Sequence, residues 1–99
     1  MLSSKQRAIL KSVASKMDAI FQIGKSGLGD AAVKSIADAL EARELVKISV
    51  LDNSDEDARE AGEAIAARTG SEVVAVIGRK IILYKESTRA DRRNISTLL

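Results

Sequence analysis

Gly24-Lys25-Ser26-Gly27 sets two glycines around a lysine and a serine, directly after the apolar run Ala19-Ile20-Phe21-Gln22-Ile23. These residue types suit the binding of phosphate. With so little side-chain bulk, backbone N–H groups and a mobile ammonium can approach a phosphate oxygen closely. A helical pattern starting near Asp30 would bring the positive end of a helix dipole to the same place. Two chemistries compete for the motif. A nucleotide-binding P-loop requires a glycine five residues before its Gly-Lys-Ser, and the residue there is Ala19. The intervening residues also read as strand, where a P-loop needs a loop to wrap the phosphate. The alternative is a G-x-x-G clamp on a nucleic-acid backbone. Many plain strand-to-helix turns satisfy G-x-x-G, so the case for the clamp rests on the lysine at its tip and on the charge elsewhere in the chain.

Catalysis finds little material. The 99 residues contain no histidine and no cysteine, which removes the commonest general base, the commonest metal ligand and every Ser-His or Cys-His nucleophile. Disulfides and thiolate metal sites are excluded with them. The acidic stretch Asp52-Asn53-Ser54-Asp55-Glu56-Asp57, with Glu63 twelfth, mimics a calcium loop but carries Asp57 where glycine must make the sharp turn. It reads instead as a capped helix start. No carboxylate pair is singled out by spacing. The expectation is a non-enzymatic protein with no cofactor, no metal and no small-molecule substrate. Phe21 and Tyr84 are the only aromatic residues, which excludes stacking platforms built from several rings. Phe21 belongs to an apolar strand and reads as core, while Tyr84 could be either core or a stacking residue.

The formal net charge of +2 conceals segregation. Residues 1–25 carry a net +4, residues 51–72 a net −5, and residues 73–99 a net +4. Basic ends around an acidic middle suggest a polyanionic partner. No stretch approaches membrane-spanning length, and residues 1–7 lack an apolar signal core, so a cytoplasmic location is expected.

The elements that must position the loop follow from period and caps. Ser3-x-x-Gln6 has capping-box spacing for a first helix whose buried stripe is Leu10, Val13, Ala14 and Met17. A strand over 19–23 ends at Gly24. Asp30 is the expected cap of a second helix running to about 42, buried through Val33, Ile36, Ala37 and Leu40. Residues 46–50 alternate as a half-buried strand with Lys47 and Ser49 outward. Asn53 or Ser54 would cap a third helix to Thr69, with Gly70 as its stop. Strands over 73–77 and 80–85 flank Gly78-Arg79, a composition suited to a type II′ hairpin. The expected fold is α/β, a single open α-β-α-β-α-β-β domain over residues 1–86 with a four-stranded sheet. Residues 87–99 read as a basic, flexible tail.

Three separated segments carry a family resemblance. They are Ile23-Gly24-Lys25-Ser26-Gly27-Leu28, then Ala39-Leu40-Glu41-Ala42-Arg43-Glu44-Leu45-Val46-Lys47-Ile48, then Ile77-Gly78-Arg79-Lys80-Ile81-Ile82-Leu83-Tyr84-Lys85. Together they closely resemble the CRM domain (chloroplast RNA splicing and ribosome maturation), in the free-standing form of the bacterial YhbY family of RNA-binding proteins. The resemblance spans roughly residues 2–86 and implies a fold similar to the C-terminal domain of translation initiation factor 3. It also implies that the glycine loop acts like a KH-type G-x-x-G, and that the partner is RNA of large ribosomal subunit precursors. Many members have a glycine, or another small or polar residue, where this chain has Ser26.

The residues expected to contact RNA are Gly24, Lys25, Ser26, Gly27 and Leu28 in the loop, with Lys5, Lys11, Arg43, Lys47 and Arg79 widening the basic surface. The expected function is RNA binding by a monomer that assists large-subunit assembly. The competing expectation is an adaptor docking on a ribosomal protein or assembly factor, with Leu98 and Leu99 in an exposed apolar patch.

Overall fold

Hydrophobic period and capping chemistry place most elements where they were expected. The computed structural model describes residues 2–25, 27–52 and 57–99. Its elements are α1 (Ser4–Ala14), β1 (Phe21–Ile23), α2 (Asp30–Arg43), β2 (Leu45–Val50), α3 (Ala58–Thr69), β3 (Glu72–Ile77) and β4 (Lys80–Tyr84). The strands form one sheet in the spatial order β1-β2-β4-β3. β1 runs parallel to β2, and the other two pairings are antiparallel.

Local signals explain the boundaries. Ser3 Oγ accepts the Gln6 N–H at 3.1 Å while Gln6 Oε1 accepts the Ser3 N–H at 2.9 Å, a complete capping box. Gly70 ends α3 in the left-handed region, and Gly78, at φ 61°, turns β3 into β4. The third helix begins at Ala58, where Asp57 Oδ2 accepts the Glu60 N–H. The expected caps Asn53 and Ser54 lie outside the described residues.

The core has two layers, and this corrects the reading of β2. On one face of the sheet, α2 and α3 bury Ile36, Leu40, Ala61 and Ile65 against Val46, Ile48, Val50, Ile81 and Leu83. On the other, α1 buries Leu10 and Ala14 against Leu45, Val74, Ile82 and Tyr84. A central strand with helices on both faces has no solvent side. Lys47 and Ser49, expected to point outward, therefore point toward the α1 layer. Lys47 is half-buried, and its ammonium donates to the carbonyls of Ala14 and Met17 at 3.2 and 3.1 Å. Tyr84 is buried in this layer, and Phe21 packs against the other.

Residues 87–99, expected as a flexible tail, fold back on the junction between α2 and β2. That junction is a single residue, Glu44, at φ 68°, a backbone state that costs a non-glycine residue about 1–3 kcal/mol. Glu44 is fully buried. Its carboxylate accepts the backbone N–H of Ser87 at 2.8 Å and those of Asn94 and Ser96 at 2.9 Å. One turn earlier, Glu41 Oε1 accepts the Ser87 hydroxyl and the Thr88 N–H at 2.8 Å and the Thr88 hydroxyl at 2.6 Å. The acceptors lie more than forty residues upstream of their donors, so no local pattern in the tail announces the contact.

Those bonds set the acidity of both groups. The Thr88 hydroxyl, then the Ser87 hydroxyl, hold the Glu41 carboxyl at about 2. Burial pushes Glu44 up, but the donors of Ser96, Ser87 and Asn94 together outweigh it and leave the carboxyl below its ordinary value.

Two measurements follow. Glu44→Ala leaves buried N–H groups without an acceptor and should lower the urea unfolding free energy by about 2–3 kcal/mol, with Glu44→Gln losing less. Because Glu41 titrates lower when folded than its ordinary 4.5, its contribution is complete above that pH and is lost as pH falls toward about 2. Amide exchange at Ser87, Thr88 and Arg89 should accelerate over that window, beyond the intrinsic pH trend, in wild type but not in Glu41→Gln.

Candidate nucleic-acid interface

β1 ends at Ile23, and the chain turns at once through the glycine loop into α2. The Gly27 N–H donates to the Gly24 carbonyl at 3.0 Å, which brings the two glycines of the motif together. Gly27 has φ 70°, where a side chain is strained. Lys25 is exposed and has no side-chain partner among the described residues. Leu28 is half-buried against the α2–α3 layer and anchors the loop from beneath. Ser26 lies outside the described residues.

The start of α2 differs from the expected cap. Gly29, at φ −97° and ψ 168°, is the N-cap and offers no side-chain acceptor. Asp30 is instead the first helical residue, and its carboxylate pairs with the Arg68 guanidinium of α3. Val33 donates to the Gly29 carbonyl at 3.1 Å. The first-turn N–H groups before it remain without an intrahelical acceptor, as at any helix start. Arg68 also neutralises the carboxylate closest to them. Sequence reading missed Arg68, since an Asp–Arg pair 38 residues apart leaves no local signal.

Hydrogen bonds tie two further loops to the same end of the sheet. Leu51 N–H donates to the Ile23 carbonyl, and Val50 N–H to the Arg79 carbonyl, both at 2.8 Å. Arg79 returns its guanidinium over the exit of β2, with Nε 2.9 Å from the Val50 carbonyl oxygen and Nη2 2.6 Å from that of Leu51. Asp52 lies 3.6 Å from it. Arg79 thus stands beside the glycine loop, and two of its donors hold the β2 exit in place.

The remaining expected residues scatter. Lys11, on α1, and Lys47 lie together on the α1 side of the sheet, lining one groove with Lys80. Lys47 chiefly caps the end of α1. Arg43 closes α2 at the end opposite the loop, about 20 Å along a 14-residue helix. Lys5 is in the first turn of α1, near the end of the sheet where Leu2 N–H meets Glu72. The structure therefore groups Gly24, Lys25, Gly27, Leu28 and Arg79, puts Lys11 and Lys47 together in a separate groove on the α1 side, and sets Lys5 and Arg43 apart.

Residues 2–85 match the CRS1 / YhbY (CRM) domain family. The chain belongs to this family. A Bacillus subtilis relative named "Probable RNA-binding protein YqeI" is 49% identical over 87 residues, covering 88% of this chain and 91% of its own. A Haemophilus influenzae protein named "RNA-binding protein" is 32% identical over 89 residues, covering 90% of each chain. The solution structure of SAV1595 from Staphylococcus aureus, described as "a putative RNA binding protein", matches with a TM-score of 0.76 at 46% identity, over 91% of this chain and 94% of that one. This CRM-family chain thus has the expected fold of three helices and a four-stranded sheet. Among the described residues, no helix is long and apolar enough to cross a membrane.

The loop conformation is open to a direct check. Gly27→Ala should cost about 1–2 kcal/mol of unfolding free energy, read by urea denaturation. Gly29→Ala, at a position with negative φ and open space around it, should cost clearly less.

Proposed function

We propose that this CRM-family protein binds RNA without catalysis, gripping the sugar-phosphate backbone with the loop at residues 24–28. The observation that carries the reading is the loop itself. It presents a free lysine on a turn closed by a left-handed glycine, set against a helix start whose cap has no side chain. Such a surface offers several N–H donors and one mobile positive charge to a phosphate. Ser26, when small enough to let the backbone approach, would add a hydroxyl donor. The names of the Bacillus and Haemophilus relatives support RNA as the partner class.

Arg79, Lys11 and Lys47 would extend the positive field around the loop, while Lys5 and Arg43 would act only on a long or folded RNA that reaches the far end. The finer assignment, assistance in assembling the large ribosomal subunit by a cytoplasmic monomer, rests on the resemblance to bacterial YhbY proteins. Leu98 and Leu99 are exposed, which keeps an adaptor role measurable as a complex that survives nuclease.

Lys25→Ala should weaken RNA binding about tenfold and reduce the magnitude of the log–log salt slope by about 0.7. Wild-type affinity and slope in a folded variant would refute the clamp. Crosslinking in cells should map contacts to precursors of the large-subunit RNA. A map lacking them would remove the ribosomal assignment and leave RNA binding standing.

A further inference from the structure

The sheet carries a feature beside the loop that the motif does not include. Gln22, Ser49, Lys80 and Ile77 pair in register across all four strands. Strand alternation puts this row on the α1 side, the face of Ile82 and Tyr84. Yet α1 covers that face only over its inner rows, ending at Ala14. The outer row stays accessible at Gln22, Lys80 and Ile77, and Ile77 is 55% exposed. Between the row and the end of α1 lies a groove of about 360 Å³, lined by Lys11, Ser15, Lys47, Ile77, Lys80 and Ile82.

Its chemistry is specific in kind. No carboxylate is among the lining residues. Lys47 is tied to the carbonyls of Ala14 and Met17, which use two of its three donors, so it contributes mainly charge. Lys80 has one partner, Ser49 Oγ at 3.0 Å, and its ammonium carries three donors. Lys11 has no side-chain partner among the described residues. Two lysines are therefore available at the rim, above an apolar floor whose accessible surface is Ile77, Ile82 being almost fully buried. A phosphate alone would match the rim and leave the floor unused.

We infer that this groove receives an unstacked nucleotide of single-stranded RNA, with base or ribose on Ile77 and phosphates at Lys11 and Lys80. The inference rests on the RNA-binding reading of the glycine loop and extends it. Gln22 stands two residues before Gly24, so the row leads from the loop to the groove over three strand spacings, about 14 Å. One strand of RNA crossing the row would meet Lys25 at one end, then Lys80 after two spacings and Ile77 at the other end. A duplex has its bases stacked on one another and cannot lay one on an apolar floor.

The test compares Lys80→Gln and Ile77→Thr, both compatible with strand structure, with Lys25→Ala. Each is titrated with a single-stranded RNA oligonucleotide and with the duplex of the same sequence, at two salt concentrations. Each groove variant should weaken single-strand binding about tenfold, and only Lys80→Gln should reduce the salt slope, by about 0.7. Ile77→Thr should leave the duplex affinity unchanged. Wild-type single-strand binding in both groove variants, alongside weakened Lys25→Ala, would overturn the groove and spare the loop. An equal loss on the duplex for Ile77→Thr would overturn the single-strand assignment. No RNA binding by wild type would refute the underlying reading itself.

Discussion

The register of β2 against its two neighbours is the constraint from which the rest of the domain follows. Ile23 faces Val50 on one side, and Lys80 faces Ser49 on the other. A slip of one residue would move Val46, Ile48 and Val50 out of the α2–α3 layer and drive Lys47 into it. Because both faces are buried, that exchange would place a charge in an apolar core, and the register is strongly specified. Once it is set, the exits of β1 and β2 and the β3–β4 turn must share one end of the sheet. The link from α2 into β2 falls at the other end, with Glu44 in it.

The two ends then take on different work. At one, Arg79 and the backbone of residues 50 and 51 fasten three loops together, and the glycine loop is held open to solvent by Leu28 beneath it. At the other, Glu41 and Glu44 collect the donors of residues 87–96. These acids sit in the same family-like segment as Arg43 and Lys47. In this chain the segment serves the fold at least as much as any surface, since Lys47 too is bound to carbonyls at and just beyond the end of α1.

Charge illustrates how folding rearranges a sequence. Basic residues gather near both chain ends, but only some of them gather in space. Arg89 and Arg93 of the last segment pair with Asp91 and Glu86 beside the Glu41–Glu44 junction, the end away from the glycine loop. Lys5 and Lys11 share one helix and still serve different ends of the sheet. What lies beside the loop is a smaller set, Lys25 and Arg79, while Lys11, Lys47 and Lys80 meet in the groove on the α1 side. Of these, Lys25 and Lys11 have no side-chain partner among the described residues.

Features governed by a few adjacent residues were legible in the chain alone. The Ser3–Gln6 capping box, the Gly70 stop, the Gly78-Arg79 turn, the element order and the glycine loop all depend on contacts within about one turn. Features governed by distant partners were not. Asp30 looked like a cap because nothing nearby showed Arg68 taking its carboxylate. Lys47 and Ser49 looked exposed because alternation shows only that successive side chains diverge, not that a helix waits on the second face. The segment beyond residue 86 looked unanchored because its anchors are two glutamates on another element. Short-range hydrogen bonding and period are properties of the sequence. Which charges are neutralised, and which remain for a ligand, depends on where tertiary packing brings residues far apart in the chain.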